Sequence, residues 1–340
     1  MNRIALAALT ALLTLAATLA ASQAQAPAKV AFALNWFPVG DHAAYWVALD
    51  KGYYKARGLD VEMQNSKGSG DVVAKVDTNR MDLGLADVVV VIPRIAQGAK
   101  IKVVGAVFDN TPLNVFTRKE SGITKPKDLE GKTLAAPPGD AQRQLFPAFA
   151  KLNGVDESKV TWVNIEPAAK MVALAKKRVD GVPDYTTGQP LFEKVFGEEG
   201  MSKDSLVRMP WNQFGFDTYS MSIVASEKTI NERPKVLRDF LAASYQGWRD
   251  VMENPHAAVE IFKKRVPEID AGVIEANLLL GLELMKTERY AKNGIGWMDR
   301  AKMCRTVELI NSYMPNLPRK VGCDEVFTLE YLTKIEPPRR

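Results

Sequence analysis

Short apolar segments typical of β-strands alternate with segments typical of helices over the first two thirds of the chain. In the first series, the strand-like runs lie at residues 29–34, 59–63, 83–86 and 101–107. The run at 29–34 has apolar residues on both faces, which is typical of a strand that is covered on both sides. Strands that alternate with helices form βαβ units and largely parallel sheets. The sequence therefore predicts an α/β fold.

A second series of strands and helices begins near Leu113, and a mostly helical region begins near Asn231. The strands of the second series are predicted at 114–118, 133–136, 160–164 and 181–184, and the later helices at 234–253, 256–264, 271–285 and 301–313. A chain of 340 residues is long enough for two domains.

A weak internal repeat links the two series. The segments Arg80–Asp87 and Arg178–Asp184 each end a helix and begin a strand, and each places an Asp just past the strand's carboxyl end. Ligands of open parallel sheets bind outside those ends. Two facing sheets would therefore form a cleft with Asp87 on one side and Asp184 on the other. The alternative, that both carboxylates simply cap the next helix, is equally compatible with the sequence.

The start of the chain has the features of a cleavable signal peptide covering residues 1–24. Arg3 precedes the uncharged run Ile4–Ala21, and the small residues Ser22 and Ala24 follow it. A membrane anchor is less favoured, because the run is rich in Ala and only moderately apolar. We therefore expect export through the inner membrane and a mature protein free in the periplasm.

The cysteines indicate one disulfide bond, and the distribution of charge indicates a surface without a strongly basic patch. Cys304 and Cys323 are the only cysteines, too far apart for a CxxC motif, and in an oxidising compartment they predict one disulfide. Two buried free thiols are the alternative. The net charge of +5 is spread along the chain, so we expect a solvated basic surface rather than a nucleic-acid partner.

Motifs of catalysis and of metal or cofactor binding are missing from the sequence. The segment Glu130–Thr133 resembles the end of a phosphate-binding loop, but Pro126 stands where that motif needs Gly. No HExxH or GxSxG motif is present, and His42 and His256 are the only histidines. We therefore expect no cofactor, no metal and no enzymatic activity. An enzyme built on paired carboxylates stays open as an alternative.

The loop after the first strand combines several groups suited to ligand recognition. Asn35 offers a donor and an acceptor, and Trp36 offers a flat face. Asp41 is a good N-cap, and His42 begins the helix where backbone N–H groups are free, with Tyr45 one turn later. Core packing of the two aromatic residues and a structural role for His42 are the alternatives.

Other loops at predicted strand ends carry similar chemistry, and they extend the candidate ligand-binding set. The further candidates are Asp87, Asp109, Gly139, Asp140, Asp184, Tyr185, Asp217 and Tyr219. Aromatic rings supply stacking area, and carboxylates accept hydrogen bonds from ring N–H or amino groups. The set therefore favours a flat, polar, nitrogen-rich molecule.

Six segments of the chain resemble one known family. They are Leu34–Pro38, His42–Tyr45, Lys51–Tyr54, Gly58–Val61, Asp82–Asp87 and Lys125–Lys132. The sequence resembles the periplasmic solute-binding proteins of ABC importers for thiamine-pyrimidine precursors, alkanesulfonates, taurine and nitrate. The loop Asn35–Pro38 followed by His42 is most similar to the pyrimidine-precursor branch.

The resemblance implies a two-lobed periplasmic binding protein of type II-like architecture. One lobe would comprise residues 25–112 and 220–340 and the other residues 113–219, joined by two crossover strands near Leu113–Arg118 and Tyr219–Ala225. Such a protein would be a monomer that closes like a hinge around a small molecule and docks on an ABC permease in the inner membrane.

The function stays open among three hypotheses, two of which are binding proteins that differ in their ligand. The first is a thiamine-pyrimidine-like heterocycle, and the second is an alkanesulfonate or taurine. The many Asp residues in the candidate loops argue against an anion, because like charges repel. The third hypothesis is that the protein is a periplasmic enzyme. A eukaryotic relative that makes the pyrimidine itself carries a cysteine-rich run, and this sequence has none.

Overall fold

A computed structural model describes residues 26–338, so the predicted signal peptide lies outside the described residues. Within them, ten strands form two five-stranded sheets, in the orders β2-β1-β3-β10-β4 and β7-β6-β8-β5-β9. The strands are β1 Ala28–Leu34, β2 Leu59–Asn65, β3 Leu83–Asp87, β4 Ile101–Ala106, β5 Leu113–Arg118, β6 Thr133–Ala135, β7 Thr161–Val163, β8 Gly181–Tyr185, β9 Leu206–Pro210 and β10 Met221–Ser226.

Helices cover both sheets, as expected for parallel strands that are buried on both faces. The helices are α1 Ala43–Asp50, α2 Ser69–Asp77, α3 Val88–Ala96, α4 Ala141–Leu152, α5 Lys170–Ala175, α6 Gln189–Glu198, α7 Glu227–Glu232, α8 Pro234–Glu253, α9 Pro255–Lys263, α10 Ala271–Met285, α11 Glu288–Asn293, α12 Arg300–Tyr313 and α13 Cys323–Val326. The strands and the long C-terminal helices expected from the sequence pattern are confirmed.

The two sheets define two lobes of the same plan, here called the first and the second lobe. In the first sheet β1 runs parallel to β2 and β3, while β10 runs antiparallel to its neighbours β3 and β4. In the second sheet β6 runs parallel to β7 and β8, while β5 runs antiparallel to β8 and β9. Each antiparallel strand is the first one after the chain passes from the other lobe.

The chain passes between the lobes twice, in residues 107–112 and 211–220. The regions expected to cross between the lobes correspond to β5 and β10, and each of these strands lies wholly inside one sheet. The covalent connections are therefore the segments just before these strands. A buried aromatic cluster lies beside the second connection, where the ring of Trp211 stacks on Phe149 with centroids 4.2 Å apart.

Close helix packing buries the segment that follows the first loop. A side chain at Gly247 of α8 would have its Cβ 2.2 Å from the Ala44 carbonyl oxygen, so the glycine lets α8 approach α1 closely. Tyr45 of α1 is fully buried, with its ring 5.0 Å from that of Phe32 and 6.2 Å from that of Trp248. Tyr45 was predicted to bind the ligand, but in the structure it packs in the core and does not line the cavity.

The first helix begins one residue later than predicted. Asp41 lies in a short 3₁₀ turn, Gly40–His42, and α1 starts at Ala43 with no side-chain cap. The predicted capping role of Asp41 is wrong because its carboxylate accepts a hydrogen bond from Thr187 of the second lobe instead.

A disulfide joins Cys304 of α12 to Cys323, the first residue of α13, as the sequence predicts. Next to it, Arg300 forms an ion pair with Asp324, at 2.7 Å. Between residues 26 and 338, the structure has no helix with the length and apolar character needed to cross a membrane.

Candidate ligand-binding cleft

A partly enclosed cavity lies where the two lobes meet, at the carboxyl ends of β1 and β8 and the start of α4. It is lined by Asn35, Trp36, Phe37, Val39, Asp41, His42, Gly68, Ser69, Asp140, Ala141, Gln142, Met171, Asp184, Tyr185, Thr187, Gly188, Leu191, Phe192 and Asn277. Both lobes contribute, and seven residues of the predicted set are among them. This is the position at which open α/β sheets bind ligands.

The wall from the first lobe contains a histidine that is held neutral. The side chains of His42 and Asn35 are buried, and His42 Nε2 donates to Asn35 Oδ1 at 2.9 Å. Burial lowers the pKa of His42 to about 3, so the ring carries no charge at neutral pH. With the proton on Nε2, Nδ1 is an acceptor, and no group of the described residues bonds to it. The protein thus leaves this acceptor unused, on a ring that lines the cavity.

The second lobe contributes a buried lysine that sequence reasoning missed. Lys170 is fully buried, and its ammonium lies 4.5 Å from the centre of the Trp36 ring across the cleft. It donates to the Pro183 carbonyl oxygen at 2.6 Å and pairs with Asp140 at 3.3 Å and Asp184 at 3.1 Å. Three acceptors use its three protons. No motif marks Lys170 in the sequence, since it is one of many helical lysines.

Asp140 links this ion-pair cluster to α4. Its side chain accepts a hydrogen bond from the Arg143 backbone N–H at 3.0 Å and so caps the helix. Burial raises the pKa of the Asp140 carboxyl, and the Lys170 ammonium opposes that shift. Gln142, which was also missed, is buried in the first turn of α4, and its Nε2 has no partner among the described residues.

Asp87 takes no part in capping α3, although it precedes that helix. Its carboxylate accepts hydrogen bonds from Ser69 Oγ at 3.2 Å, from Tyr185 OH at 2.5 Å, and from Ser220 Oγ. Burial raises the pKa of Asp87 to about 6, and these three donors oppose the rise. For Asp87, the alternative of a simple helix cap is therefore wrong. The bond from Tyr185 joins the two lobes beneath the cavity.

Asp41 forms a second buried link between the lobes. Its Oδ2 accepts from Thr187 Oγ1 at 2.8 Å, and Asn277 Nδ2 donates to the Thr187 carbonyl oxygen at 2.7 Å. The Asp41 backbone N–H in turn donates to Asn277 Oδ1, at 3.1 Å. Burial raises the pKa of Asp41 to about 7, with Thr187 opposing and Asp184 adding to the rise. Thr187 and Asn277 were not among the predicted residues.

The other predicted residues lie outside the cavity. Asp109 is buried in an ion pair with Arg289 at 2.8 Å, and Tyr219 OH accepts from the Asp299 backbone N–H at 2.8 Å. Asp217 is exposed. Gly139 lies at the rim, where its carbonyl oxygen accepts from the Gly70 backbone N–H at 3.0 Å. These predictions took every strand-end loop as part of the cleft, whereas Asp109, Asp217 and Tyr219 belong to the segments that connect the lobes.

Within the described part of the chain, no cluster of three or more His, Cys, Asp or Glu side chains is arranged to hold a metal ion. Three Asp side chains, Asp41, Asp140 and Asp184, line the cavity with Lys170 beside them, and burial raises the pKa of Asp41 to about 7. The cavity thus has an acidic character, one indole face, a neutral imidazole acceptor and an amide donor. Such a set can hold a flat molecule between two walls and bond to its edge.

Solved structures share this architecture. The alkanesulfonate-binding protein SsuA of Xanthomonas axonopodis pv. citri, solved with MOPS bound, has a TM-score of 0.65 at 16% identity, over 89% of this chain and 99% of that one. The two lobes and the cleft between them therefore define the periplasmic binding protein fold.

The chain belongs to the NMT1/THI5-like family, whose sequence model matches residues 39–258, more than half of the chain. The resemblance to this family is confirmed, and five of the six segments that carry it lie within the matched residues, whereas Leu34–Pro38 lies just before them.

Two relatives of similar length have names that state what they bind. The riboflavin-binding protein RibY of Chloroflexus aurantiacus is 25% identical over 89% of this chain and 86% of its own length. The formylaminopyrimidine-binding protein of Halalkalibacterium halodurans is 24% identical over 82% of this chain and 87% of its own. Six further relatives, from two yeasts and Legionella pneumophila, are named 4-amino-5-hydroxymethyl-2-methylpyrimidine phosphate synthase, at 22–31% identity over 67–71% of this chain.

Proposed function

We propose that this protein captures a small, flat nitrogen heterocycle outside the cytoplasm and delivers it to an ABC permease. The observation that carries the proposal is the two-walled cleft, in which Trp36 and the neutral His42 of the first lobe face Asp140 and Gln142 of the second. An indole face supplies stacking area, and His42 Nδ1 and Gln142 Nε2 supply an acceptor and a donor without partners.

The charge of the cleft favours a neutral or cationic ligand over an anion. Its Asp side chains outnumber the adjacent cation, Lys170, whose protons are taken by Asp140, Asp184 and a backbone carbonyl. His42 stays neutral because its pKa is lowered to about 3. A sulfonate or nitrate would lose its hydration without gaining a counter-ion there, which is a costly exchange. The sulfonate alternative is therefore the weaker candidate.

Within the heterocycles, we favour a thiamine-pyrimidine precursor or a related ring. An aminopyrimidine has an exocyclic N–H donor next to a ring nitrogen acceptor, which matches the free imidazole acceptor and amide donor of the cleft. The names of the flavin-binding and pyrimidine-binding relatives support the same chemical class.

Binding without catalysis is part of the proposal. The synthase names among the relatives make pyrimidine synthesis the competing hypothesis. In favour of a binder, the relatives that carry names of binding proteins match 89% and 82% of the chain, whereas these synthases match 67–71%. We further propose a periplasmic monomer with lobes 25–112 plus 220–340 and 113–219, which move relative to each other.

Native mass spectrometry of protein purified without refolding, followed by calorimetric titration, tests the proposal. The probes are riboflavin, formylaminopyrimidine, 4-amino-5-hydroxymethyl-2-methylpyrimidine and the sulfonate MOPS. We expect at least one heterocycle to bind with micromolar affinity or better and MOPS to show no heat of binding. Binding of MOPS alone would overturn the choice of ligand class, and chemical conversion of a probe by the purified protein would overturn the choice of a binder.

A further inference from the structure

Next to the cleft, the two lobes touch through backbone atoms at three glycines. Gly68 and Gly70 lie in the first lobe at the start of α2, and Gly139 lies in the second lobe just before α4. The Gly70 N–H donates to the Gly139 carbonyl oxygen at 3.0 Å. This hydrogen bond joins the lobes directly, with no side chain between the two segments.

The space at this contact is too tight for a side chain to enter unless a neighbouring group moves. A Cβ added to Gly68 would lie 2.2 Å from the Gly139 carbonyl oxygen, and one added to Gly139 would lie 3.0 Å from the Lys67 carbonyl oxygen. A Cβ on Gly70 would lie 2.1 Å from Gln144 Nε2 of the second lobe. Each of these partners belongs to the opposite lobe, so relief of the crowding requires a side chain to turn or the lobes to separate.

Backbone conformation explains only one of the three glycines. Gly68 has φ +118°, a region that other residues rarely adopt. Gly70 and Gly139 have no positive φ, and alanine would fit their backbone without strain. Contact with the other lobe is thus the feature that a side chain at Gly70 or Gly139 would disturb.

We propose that Gly68, Gly70 and Gly139 form a glycine seam that sets how closely the lobes approach and thereby sets the affinity of the cleft. The inference rests on the proposed function. The seam is tied to both walls, because the Gly68 N–H donates to the Asn35 carbonyl oxygen at 2.9 Å and Asp140 directly follows Gly139. A separation of about 1 Å would stretch hydrogen bonds of about 3 Å beyond their useful range, so a ligand held by both walls would lose one of them.

A charged pair crosses the same seam on the outside. Lys67 and Glu166 are both exposed, and their side chains meet at 2.9 Å. They offer a place at which closure can be measured without touching the cleft, since neither residue lines it.

The first test measures affinity in Gly70→Ala and Gly139→Ala, with Gly197→Ala as the matched control. Gly197 lies in helix α6, and a Cβ there meets nothing within 4 Å. The probe is whichever of riboflavin, formylaminopyrimidine or 4-amino-5-hydroxymethyl-2-methylpyrimidine binds the unaltered protein. We expect Gly139→Ala to raise the dissociation constant at least tenfold, mainly through faster dissociation, without lowering the melting temperature.

Gly70→Ala distinguishes an effect on how closely the lobes approach from an effect on the stability of the fold. Alanine is the better helix former, so the melting temperature of this variant should stay level or rise while its affinity falls. An affinity within twofold of the unaltered protein in both seam variants, with normal melting temperatures, would overturn the proposal.

The second test needs no ligand, so it remains informative if every heterocycle fails to bind and the proposed function is wrong. Lys67→Cys and Glu166→Cys are combined, and the rate of cross-linking by a short thiol-reactive reagent reports how often the seam closes. The native cysteines are already paired with each other. We expect cross-linking to slow at least fivefold when Gly139→Ala is added and to be unchanged with Gly197→Ala. Equal rates in all three backgrounds would contradict the seam.

Discussion

At the scale of single residues, burial decides the chemistry of the cleft. His42 and Asp41 are neighbours in sequence, and burial favours the neutral form of each. Lys170 is as deeply buried but keeps its charge, because Asp140 and Asp184 stand next to it. Removal of one member of such a cluster leaves an unpaired buried charge, so these residues govern both folding and binding.

Trp36→Ala should weaken binding of a heterocyclic probe far more than it lowers stability. Trp36 is half-buried at the cleft. In proteins that bind single-stranded nucleic acids, removal of an aromatic side chain on which a base stacks costs about 1–3 kcal/mol, or about five- to 150-fold in dissociation constant. Titration and thermal denaturation of the same variant check this. The matched control is Trp46→Ala, a half-buried tryptophan near Arg265 and outside the cleft, which should leave affinity unchanged. A large loss of stability with normal affinity would instead make Trp36 a core residue.

Asp41→Asn should change how stability depends on pH. The folded protein holds the Asp41 proton up to a pKa of about 7, whereas the unfolded chain releases it near 3.8. Between pH 4 and pH 7 the folded state therefore binds more protons at this site, and Asp41 makes the free energy of unfolding fall as pH rises, by at most about 1.4 kcal/mol per unit.

Asparagine cannot titrate, so Asp41→Asn should gain stability relative to the unaltered protein from pH 4 to pH 7, with a constant difference above that range. Urea denaturation at a series of pH values measures this difference. Asp217→Asn, which removes one carboxylate at an exposed position outside the cleft, is the control. A pH-independent difference for Asp41→Asn would contradict the raised pKa.

At the scale of elements, the disulfide holds the last helices of the first lobe together. It links α12 to α13 across 19 residues that include a loop without regular structure. Residues of both helices are buried, among them Ile310 and Val326. The covalent link therefore restricts the unfolded chain in a region where the packed elements are short.

Replacement of Cys304 and Cys323 by Ala should lower the free energy of unfolding by about 3 kcal/mol, the value expected for a closed loop of this length. Chemical denaturation measures the loss, and affinity should be preserved because the bridge does not line the cleft. Mass spectrometry that found two free thiols in protein isolated without a reductant would refute the link itself.

At the scale of the whole molecule, the lobes are joined by two short connections, by apolar packing that includes Phe149 and Ile310, and by polar contacts around the cleft. Tyr185–Asp87, Thr187–Asp41 and Asn277–Thr187 are hydrogen bonds between the lobes, and each can break without unfolding either sheet. Hydrogen bonds of this kind can break and form again when the lobes move relative to each other.

Small-angle scattering should therefore show the radius of gyration fall when a bound heterocycle is added at saturation. Ligand binding favours the closed arrangement because both walls contribute contacts. Saturation is verified by calorimetry on the same sample, and MOPS serves as the ligand that should cause no change. An unchanged radius with a verified ligand would exclude closure.

The sequence by itself determined the elements and their order, because helix and strand periodicity depends on residues that are near each other in the chain. It also identified the loop Asn35–His42 and the cysteine pair. Only the tertiary structure decided which strand-end groups share the cleft. Asp109 and Tyr219 form contacts outside the cleft, while Lys170 of the second lobe lies over the ring of Trp36 of the first. Such pairings depend on how two sheets face each other, and local sequence patterns carry no information on that arrangement.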